Sequence, residues 1–218
     1  MPTPPITNSS PVPRVHTAPV IRLATRADLP VVVETLADGF HGGDYADWLI
    51  PDPAVRAAAY PAYFRIIAEH AIDTGFVELT DDGHAVALWH MISTSLADEP
   101  PIPRYARRLA DAVGLRALPR FVALDTAFEE RHPPGPHHYL GHLAVRPQCR
   151  GQGLGGALLA HHHTYLDEHG ISAHLEATSA RNQRLYRRHG YDPRPGYDLT
   201  SGGPRALPMW RDPQPVCT

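Results

Sequence analysis

The chain has 218 residues, a formal net charge of -3 and an apolar fraction of 43%. This length suits one compact domain with a sizeable core, and the charge excludes the basic field that attracts nucleic acid or an anionic membrane. The two cysteines, Cys149 and Cys217, form no C-x-x-C pair, which argues against a disulfide framework or a structural zinc site. No apolar run reaches the roughly 20 residues of a membrane-spanning helix, and the N-terminus lacks the apolar core of a secretory signal, so we expect a cytoplasmic protein.

The first half of the chain predicts a tail followed by a strand, two helices and a hairpin. Residues 1–19 are rich in Pro, Thr and Ser, a composition typical of a disordered tail, and a single domain is expected over 20–212. A Pro in the first turn of the first helix costs no hydrogen bond, and Asp81-Asp82-Gly83 is a typical hairpin turn. The predicted elements are a strand at 20–24, a helix with an apolar face at 29–40, a helix at 54–72 and strands at 75–80 and 85–92.

The second half alternates helices and strands. Residues 93–136 are bracketed by prolines and predict a helical insertion. The pattern after it predicts a strand at 139–145, a glycine-rich turn, a helix at 154–169, a strand at 173–178, a short helix at 182–189 and weaker strands near the C-terminus.

The glycine-rich turn carries the strongest local signal. Gly151, Gly153 and Gly155 lie between an apolar strand and a helix, where glycine allows positive φ and close approach of a ligand. Free N–H groups at the start of a helix bind phosphate oxygens, and Arg150 adds a cation beside them. The spacing is neither that of a Walker loop, which needs Lys and Ser or Thr after the last glycine, nor the G-x-G-x-x-G of a dinucleotide fold.

Two motifs together resemble the GNAT acetyltransferase superfamily. Residues 148–153, Gln-Cys-Arg-Gly-Gln-Gly, match motif A of that superfamily, Q/R-x-x-G-x-G/A, and 175–182 and 185–191 resemble its companion segment. The segments 21–28 and 81–89 are also similar to the branch typified by puromycin N-acetyltransferase. The resemblance covers 20–211 in patches and is weakest over 93–137, where acceptor specificity would lie.

The resemblance implies an α/β (α+β) fold, the GNAT fold. Its central mixed, mostly antiparallel sheet splays at the acetyl-CoA site and is flanked by helices. Acetyl-CoA would be the co-substrate, its pantetheine arm pairing with the open strand edge and its pyrophosphate with the turn. The residues assigned to it are Leu143, Ala144, Val145, Arg150, Gly151, Gln152, Gly153, Leu154, Gly155, Gly156 and Asn182.

The resemblance also assigns catalytic groups. Tyr186 matches the family tyrosine near the CoA sulfur and would act as general acid, since a phenol with a pKa of about 10 protonates a thiolate at neutral pH. Three residues remain as candidates for the general base, and we rank Glu176 first, His137 second and His142 third. Period two along the preceding strand puts His137 and Tyr139 on one face and His142 on the other, so His142 would need a bulge to join them.

A metal is not expected. His161, His162 and His163 are consecutive, and consecutive helical side chains point in different directions and cannot all bind one ion. They indicate a solvated helix face.

We therefore expect an N-acetyltransferase acting on a small-molecule amine, in antibiotic resistance or natural-product biosynthesis. Its partners would be acetyl-CoA and the amine, without nucleic acid or membrane, in a monomer or homodimer. The 93–136 insertion is expected to shape the acceptor pocket. The alternatives are a protein N-terminal or lysine acetyltransferase, which needs an open groove for an extended chain, and a non-catalytic acyl-CoA-binding module.

Overall fold

A computed structural model describes residues 18–95, 100–200 and 202–215, so nearly all of the predicted 1–19 tail lies outside the described residues. The strands are β1 (Ile21–Leu23), β2 (Phe76–Thr80), β3 (Ala85–Ile92), β4 (His137–Val145), β5 (Ala173–Ala177), β6 (Asp192–Pro193), β7 (Tyr197–Asp198) and β8 (Arg205–Arg211). The helices are α1 (Leu29–Gly39), α2 (Asp44–Leu49), α3 (Pro53–Thr74), α4 (Tyr105–Glu130), α5 (Leu154–His169) and α6 (Ala180–Arg188). No helix in the described ranges has the length and apolar character needed to cross a bilayer.

The strands form one mixed sheet in the order β1-β2-β3-β4-β5-β8-β6, with β7 paired to β8. The β4–β5 pair is parallel, and the other strand pairs of the described chain are antiparallel. Helices cover both faces of the sheet. The predicted fold class, a mixed and mostly antiparallel sheet flanked by helices, is confirmed.

The two faces of the sheet bury separate apolar cores. On one face α1, α3 and α4 pack around side chains such as Leu36, Phe64 and Phe121, with Leu88 from the central strand β3. On the other face α5 and α6 pack around Trp89 of the same strand and the leucines of α5. Adjacent residues of one strand thus enter opposite cores, as the two-residue period of a strand requires.

The predicted insertion forms α4, which packs mainly on α3. Its helical run is interrupted at Gly114, whose φ of 76° and ψ of 156° are non-helical, so two helical segments meet at a glycine. Leu109 and Phe121 are 1% and 0% exposed in the α1–α3 core, and no α4 residue lines either of the two cavities considered below. Helix α4 is thus mainly a packing layer, whereas Arg131, Pro133 and Pro134, at the end of the predicted insertion, line one of these cavities. That the insertion shapes the acceptor pocket stays a prediction.

We expect Phe121→Ala to destabilise the protein strongly. Phe121 is fully buried, with its ring centroid 4.9 Å from that of Tyr63, and removing a buried phenyl ring costs about 3–5 kcal/mol. Chemical denaturation measures the loss. Val122→Ala is the matched control, because Val122 is 49% exposed and such changes stay within about 0.5 kcal/mol. If Phe121→Ala kept its stability and raised only the acceptor KM, α4 would be part of the pocket after all.

Candidate active site

The strands β4 and β5 separate soon after they meet. They are paired at only two positions, His138 with Ala173 and Tyr139 with His174. Beyond these pairs β4 continues to Val145 and β5 to Ala177 without further pairing. A wedge-shaped gap therefore opens in the middle of the sheet, which is the splay that the sequence resemblance implied.

The β4 side of this gap carries main-chain groups without a β5 partner. The N–H of Arg146 donates to the carbonyl of His84, on the β3 side of β4. Because alternate residues of a strand direct their N–H and C=O groups to opposite neighbours, Leu143 and Val145 direct theirs into the gap. Ala144 directs its own toward β3, where it is paired with Val86.

A bulge in β4 changes which side chains share a face. Leu88 is paired with His142 and Trp89 with Leu140, so Gly141 is the extra residue. A Cβ at Gly141 would lie 3.1 Å from the His90 ring, a tight contact that glycine avoids. The bulge brings His142 to the face of His137 and Tyr139, which the sequence argument required of it.

The glycine-rich turn presents main-chain donors to solvent at the start of α5. Gly151 and Gly153 have φ of 79° and 84° and are exposed, as is Gln152. The first helical bond in the turn runs from the N–H of Ala157 to the carbonyl of Gly153, so the preceding N–H groups have no partner within the helix. Free N–H groups and the positive end of a helix dipole favour an anion at such a position.

Neighbouring residues of the turn have packing roles. Arg150 is exposed and donates from its guanidinium to the carbonyl of Gly39 at 2.7 Å, which ties the turn to the end of α1. Leu154 and Gly155 are buried, and a Cβ at Gly156 would lie 3.0 Å from His189 Nε2. Gly151 and Gly153 thus serve the exposed turn, and Gly156 allows α5 to pack closely against His189.

Tyr186 and Asn182 lie on α6, which follows β5. Tyr186 is 8% exposed, and its hydroxyl makes no hydrogen bond to another group of the described chain. Burial raises the pKa of this phenol, so it is protonated at neutral pH. Asn182 donates from Nδ2 to Thr178 Oγ1 at 3.0 Å, and Ser179 caps the helix.

Both carboxylate oxygens of Glu176, which lies on the β5 side of the gap, have a polar partner. Its side chain is 2% exposed, and Oε1 lies 3.0 Å from His174 Nε2. Oε2 accepts a hydrogen bond from the Tyr139 hydroxyl at 2.8 Å, across from β4 to β5. Burial, followed by the charge of Glu176, raises the pKa of Tyr139, which keeps this phenol a hydrogen-bond donor.

The two histidine candidates lie in different surroundings. His137 is buried, with Nδ1 2.9 Å from the Gly135 carbonyl and Nε2 2.9 Å from His132 Nε2. Burial lowers its pKa. His142 lies against Phe40 and Phe64 at ring distances of 5.4 and 5.8 Å, and burial lowers its pKa to about 3, which makes it a weak base.

The histidine run of α5 is not a solvated face. His162 and His163 are 1% and 6% exposed. His161 and His162 both approach Glu78 Oε1, at 3.1 and 3.0 Å, whereas His163 contacts the Tyr191 hydroxyl. The three rings do diverge, but two of them belong to a network around a buried carboxylate.

A cavity of about 540 Å³ lies at the carboxyl end of β5. It is lined by residues of α2, of the β5–α6 turn, of the β7–β8 connection and of β8, whose Arg205 is paired with Asp198 at 3.0 Å. Asp44 and Asp47 give it an acidic side. Asp47 is paired with Arg56 at 2.7 Å, whereas Asp44 makes no ion pair within the described ranges. The size is that of a small-ligand site.

The comparisons with known proteins agree with this geometry. Residues 116–193 match the family described as acetyltransferase (GNAT) domain. A solved structure from Corynebacterium glutamicum, described as histone acetyltransferase HPA2 and related acetyltransferase, is 28% identical, with a TM-score of 0.70 over 93% of this chain and 100% of that one.

Two solved insect enzymes share the fold at lower identity. The polyamine N-acetyltransferase of Drosophila melanogaster is 18% identical, with a TM-score of 0.57 over 88% of this chain and 99% of that one. The arylalkylamine N-acetyltransferase 2 of Aedes aegypti is 14% identical, with a TM-score of 0.57 over 89% and 99%. Residues 116–193 thus match a GNAT acetyltransferase domain, and the described chain has the fold of these solved acetyltransferases.

Proposed function

We propose that the protein transfers the acetyl group of acetyl-CoA to a small-molecule amine, in the manner of the puromycin N-acetyltransferase branch. The observation that carries the proposal is the gap between β4 and β5, into which Leu143 and Val145 direct main-chain groups. The pantetheine arm would extend along this edge, and the pyrophosphate would bind at the exposed Gly151–Gly153 turn. A main-chain N–H in the gap would polarise the thioester oxygen.

Direct transfer needs a proton taken from the amine and a proton given to the thiolate. The amine nitrogen attacks the thioester carbon, the C–S bond breaks, and Tyr186 donates its phenolic proton to the departing sulfur. The proton of the ammonium passes to Glu176, directly or through water, and solvent restores Tyr186. Tyr186 is suited to the first role because its pKa is raised, and Glu176 to the second because Tyr139 and His174 hold both its oxygens.

The acidic cavity at the end of β5 is the proposed acceptor site. Thr178 and Ser179 of its lining follow Glu176 by two and three residues, so a bound amine would lie near the base. Burial, followed by the charge of Glu176, raises the pKa of Tyr45, which lies in sequence between the lining residues Asp44 and Asp47. This supports an acceptor site near Glu176. Asp44 would attract an ammonium group.

We expect Glu176→Gln to lower kcat by about 100-fold, the usual effect of losing a general base, while His142→Gln leaves kcat within a few-fold. Both changes remove a titrating group and keep the side-chain size, so the pair compares two candidate bases of the same face. Steady-state kinetics with the preferred amine measures the effect. The reverse order of effects would make His142 the base despite its aromatic surroundings.

An amine screen tests the function itself. Purified protein is incubated with acetyl-CoA and alkyl amines, arylalkylamines, polyamines, amino-nucleosides, a lysine peptide and a free N-terminal peptide, and free thiol and acetylated product are measured. At least one small amine should release thiol well above hydrolysis and gain one acetyl group, and Asp44→Asn should raise its KM. If only the peptides were acetylated, the protein would be a protein N-terminal or lysine acetyltransferase. If acetyl-CoA bound but no amine was acetylated, it would be a non-catalytic acyl-CoA-binding module.

A further inference from the structure

Three side chains of types that bind metals lie close together near the start of β5. His132, in the connection after α4, and His174 and Glu176, on β5, each offer a ligand atom, and these atoms lie within 4.8 Å of one another. His174 Nε2 and Glu176 Oε1 are already 3.0 Å apart. For comparison, ligand atoms of a tetrahedral zinc ion are about 3.3 Å apart, given Zn–N and Zn–O bonds of about 2.0–2.1 Å.

The hydrogen bonds around the cluster fix the lone pairs of its ligands. His174 Nδ1 donates to the Met209 carbonyl at 3.0 Å, so in a neutral ring Nε2 presents a lone pair to the Glu176 carboxylate. Two lone pairs that face each other at 3.0 Å need a cation between them, either a proton or a metal ion. The other oxygen of Glu176 is held by the Tyr139 hydroxyl at 2.8 Å.

A second chain of hydrogen bonds orients His132. His137 Nδ1 lies 2.9 Å from the Gly135 carbonyl, which only accepts, so His137 Nδ1 is the donor and its Nε2 the acceptor. His132 Nε2, 2.9 Å from that acceptor, must then donate. This leaves a lone pair on His132 Nδ1, which is buried without a hydrogen-bond partner. Metal-binding histidines typically donate their other N–H to a fixed acceptor in this way.

We propose that His132, His174 and Glu176 form a binding site for a divalent transition-metal ion of the zinc class. Two imidazoles and one carboxylate are ligands that suit Zn²⁺, Ni²⁺ and Co²⁺. Three protein ligands leave a fourth position for water or a small ligand. The site lies outside the glycine-rich turn and needs no acetyl-CoA. It shares Glu176 with the proposed acetyl transfer, so an ion held by Oε1 should slow proton abstraction by this carboxylate.

A cavity borders one of the three proposed ligands. A cavity of about 660 Å³ is lined by His174 and by Arg131, Pro133 and Pro134, which surround His132 in sequence. An ion bound there would tie the α4–β4 connection to strand β5. Because the site requires the folded chain, the ion should stabilise the protein by mass action.

Isothermal titration of the chelator-treated full-length protein with zinc sulfate, without acetyl-CoA, tests the site. We expect one tight site in the wild type, and intense visible absorption of tetrahedral geometry when Co²⁺ replaces Zn²⁺. His132→Gln should weaken Zn²⁺ by more than about 100-fold, beyond the 10–100-fold typical of losing an outer partner. His132 is partly exposed, so this variant should fold, which its circular dichroism and melting curve verify.

The chain's other histidines supply the control. His169→Gln changes an exposed histidine at the end of α5 and should leave the tight site intact. His174→Gln should abolish it, and Zn²⁺ should raise the melting temperature of the wild type and His169→Gln but of neither site variant. Equal zinc affinity in the wild type and a folded His132→Gln would overturn the proposal. Because binding is measured without turnover, this result is separate from that of the amine screen.

Discussion

Gly153→Glu is expected to weaken CoA binding by at least about 100-fold while the domain remains folded. Gly153 lies at the exposed start of α5, and a Cβ there would meet no atom within 4 Å. The added carboxylate would stand where the pyrophosphate is proposed to bind, and two like charges 4 Å apart repel by about 4 kcal/mol at the effective dielectric of a protein surface. Calorimetric titration with CoA measures the effect.

Two variants separate charge from backbone strain in this test. The φ of Gly153 is 84°, and a non-glycine residue in this region costs about 1–2 kcal/mol. Gly153→Gln has the same bulk and strain without the charge. Gly170, at the other end of α5, has a φ of 65° and equally open surroundings, so Gly170→Glu has similar strain far from the turn and should bind CoA normally. Unchanged CoA affinity in a folded Gly153→Glu would remove the turn from the site.

The elements around the cofactor site could be predicted because their signals are local. Helix α5 begins at Leu154 and ends at His169, as predicted, because glycines bound it on both sides and no tertiary contact is needed to place them. Strands β2 and β3 follow from a hairpin turn of two aspartates and a glycine. The short helix α2 was missed, because its six residues between Gly43 and Ile50 are too few for a periodic pattern.

The arrangement of the candidate bases Glu176, His137 and His142 depends on features that no single residue of the sequence reveals. The bulge at Gly141 turns His142 to the other face, and an isolated glycine in a strand only hints at it. His174 lies two residues before Glu176, so strand period alone could have grouped them. His132 has no such signal, since it reaches the cluster through a connection rich in proline. The burial of His162 beside Glu78 likewise depends on how α5 packs on the sheet.

Tyr186→Phe is expected to lower kcat by about 100-fold or more, the usual range for a lost general acid, with little change in the KM for acetyl-CoA. The substitution keeps the ring in the α5–α6 core and removes one hydroxyl. This hydroxyl has no hydrogen-bond partner in the described part of the chain, so its loss leaves no buried group unpaired and should cost little stability. Pre-steady-state thiol release measures the transfer step itself.

Tyr191→Phe is the matched control for this prediction. Its ring centroid lies 5.8 Å from that of Tyr186, it is 1% exposed, and its hydroxyl contacts His163 Nε2 at 3.1 Å. Removing this hydroxyl should destabilise the fold by about 1 kcal/mol, the net value of a typical hydrogen bond, and leave kcat nearly unchanged. The two variants should therefore show opposite patterns. Tyr186→Phe should lower kcat and keep the stability, whereas Tyr191→Phe should lower the stability and keep kcat. A Tyr186→Phe protein that keeps kcat within about twofold of the wild type would mean that water or another group protonates the thiolate.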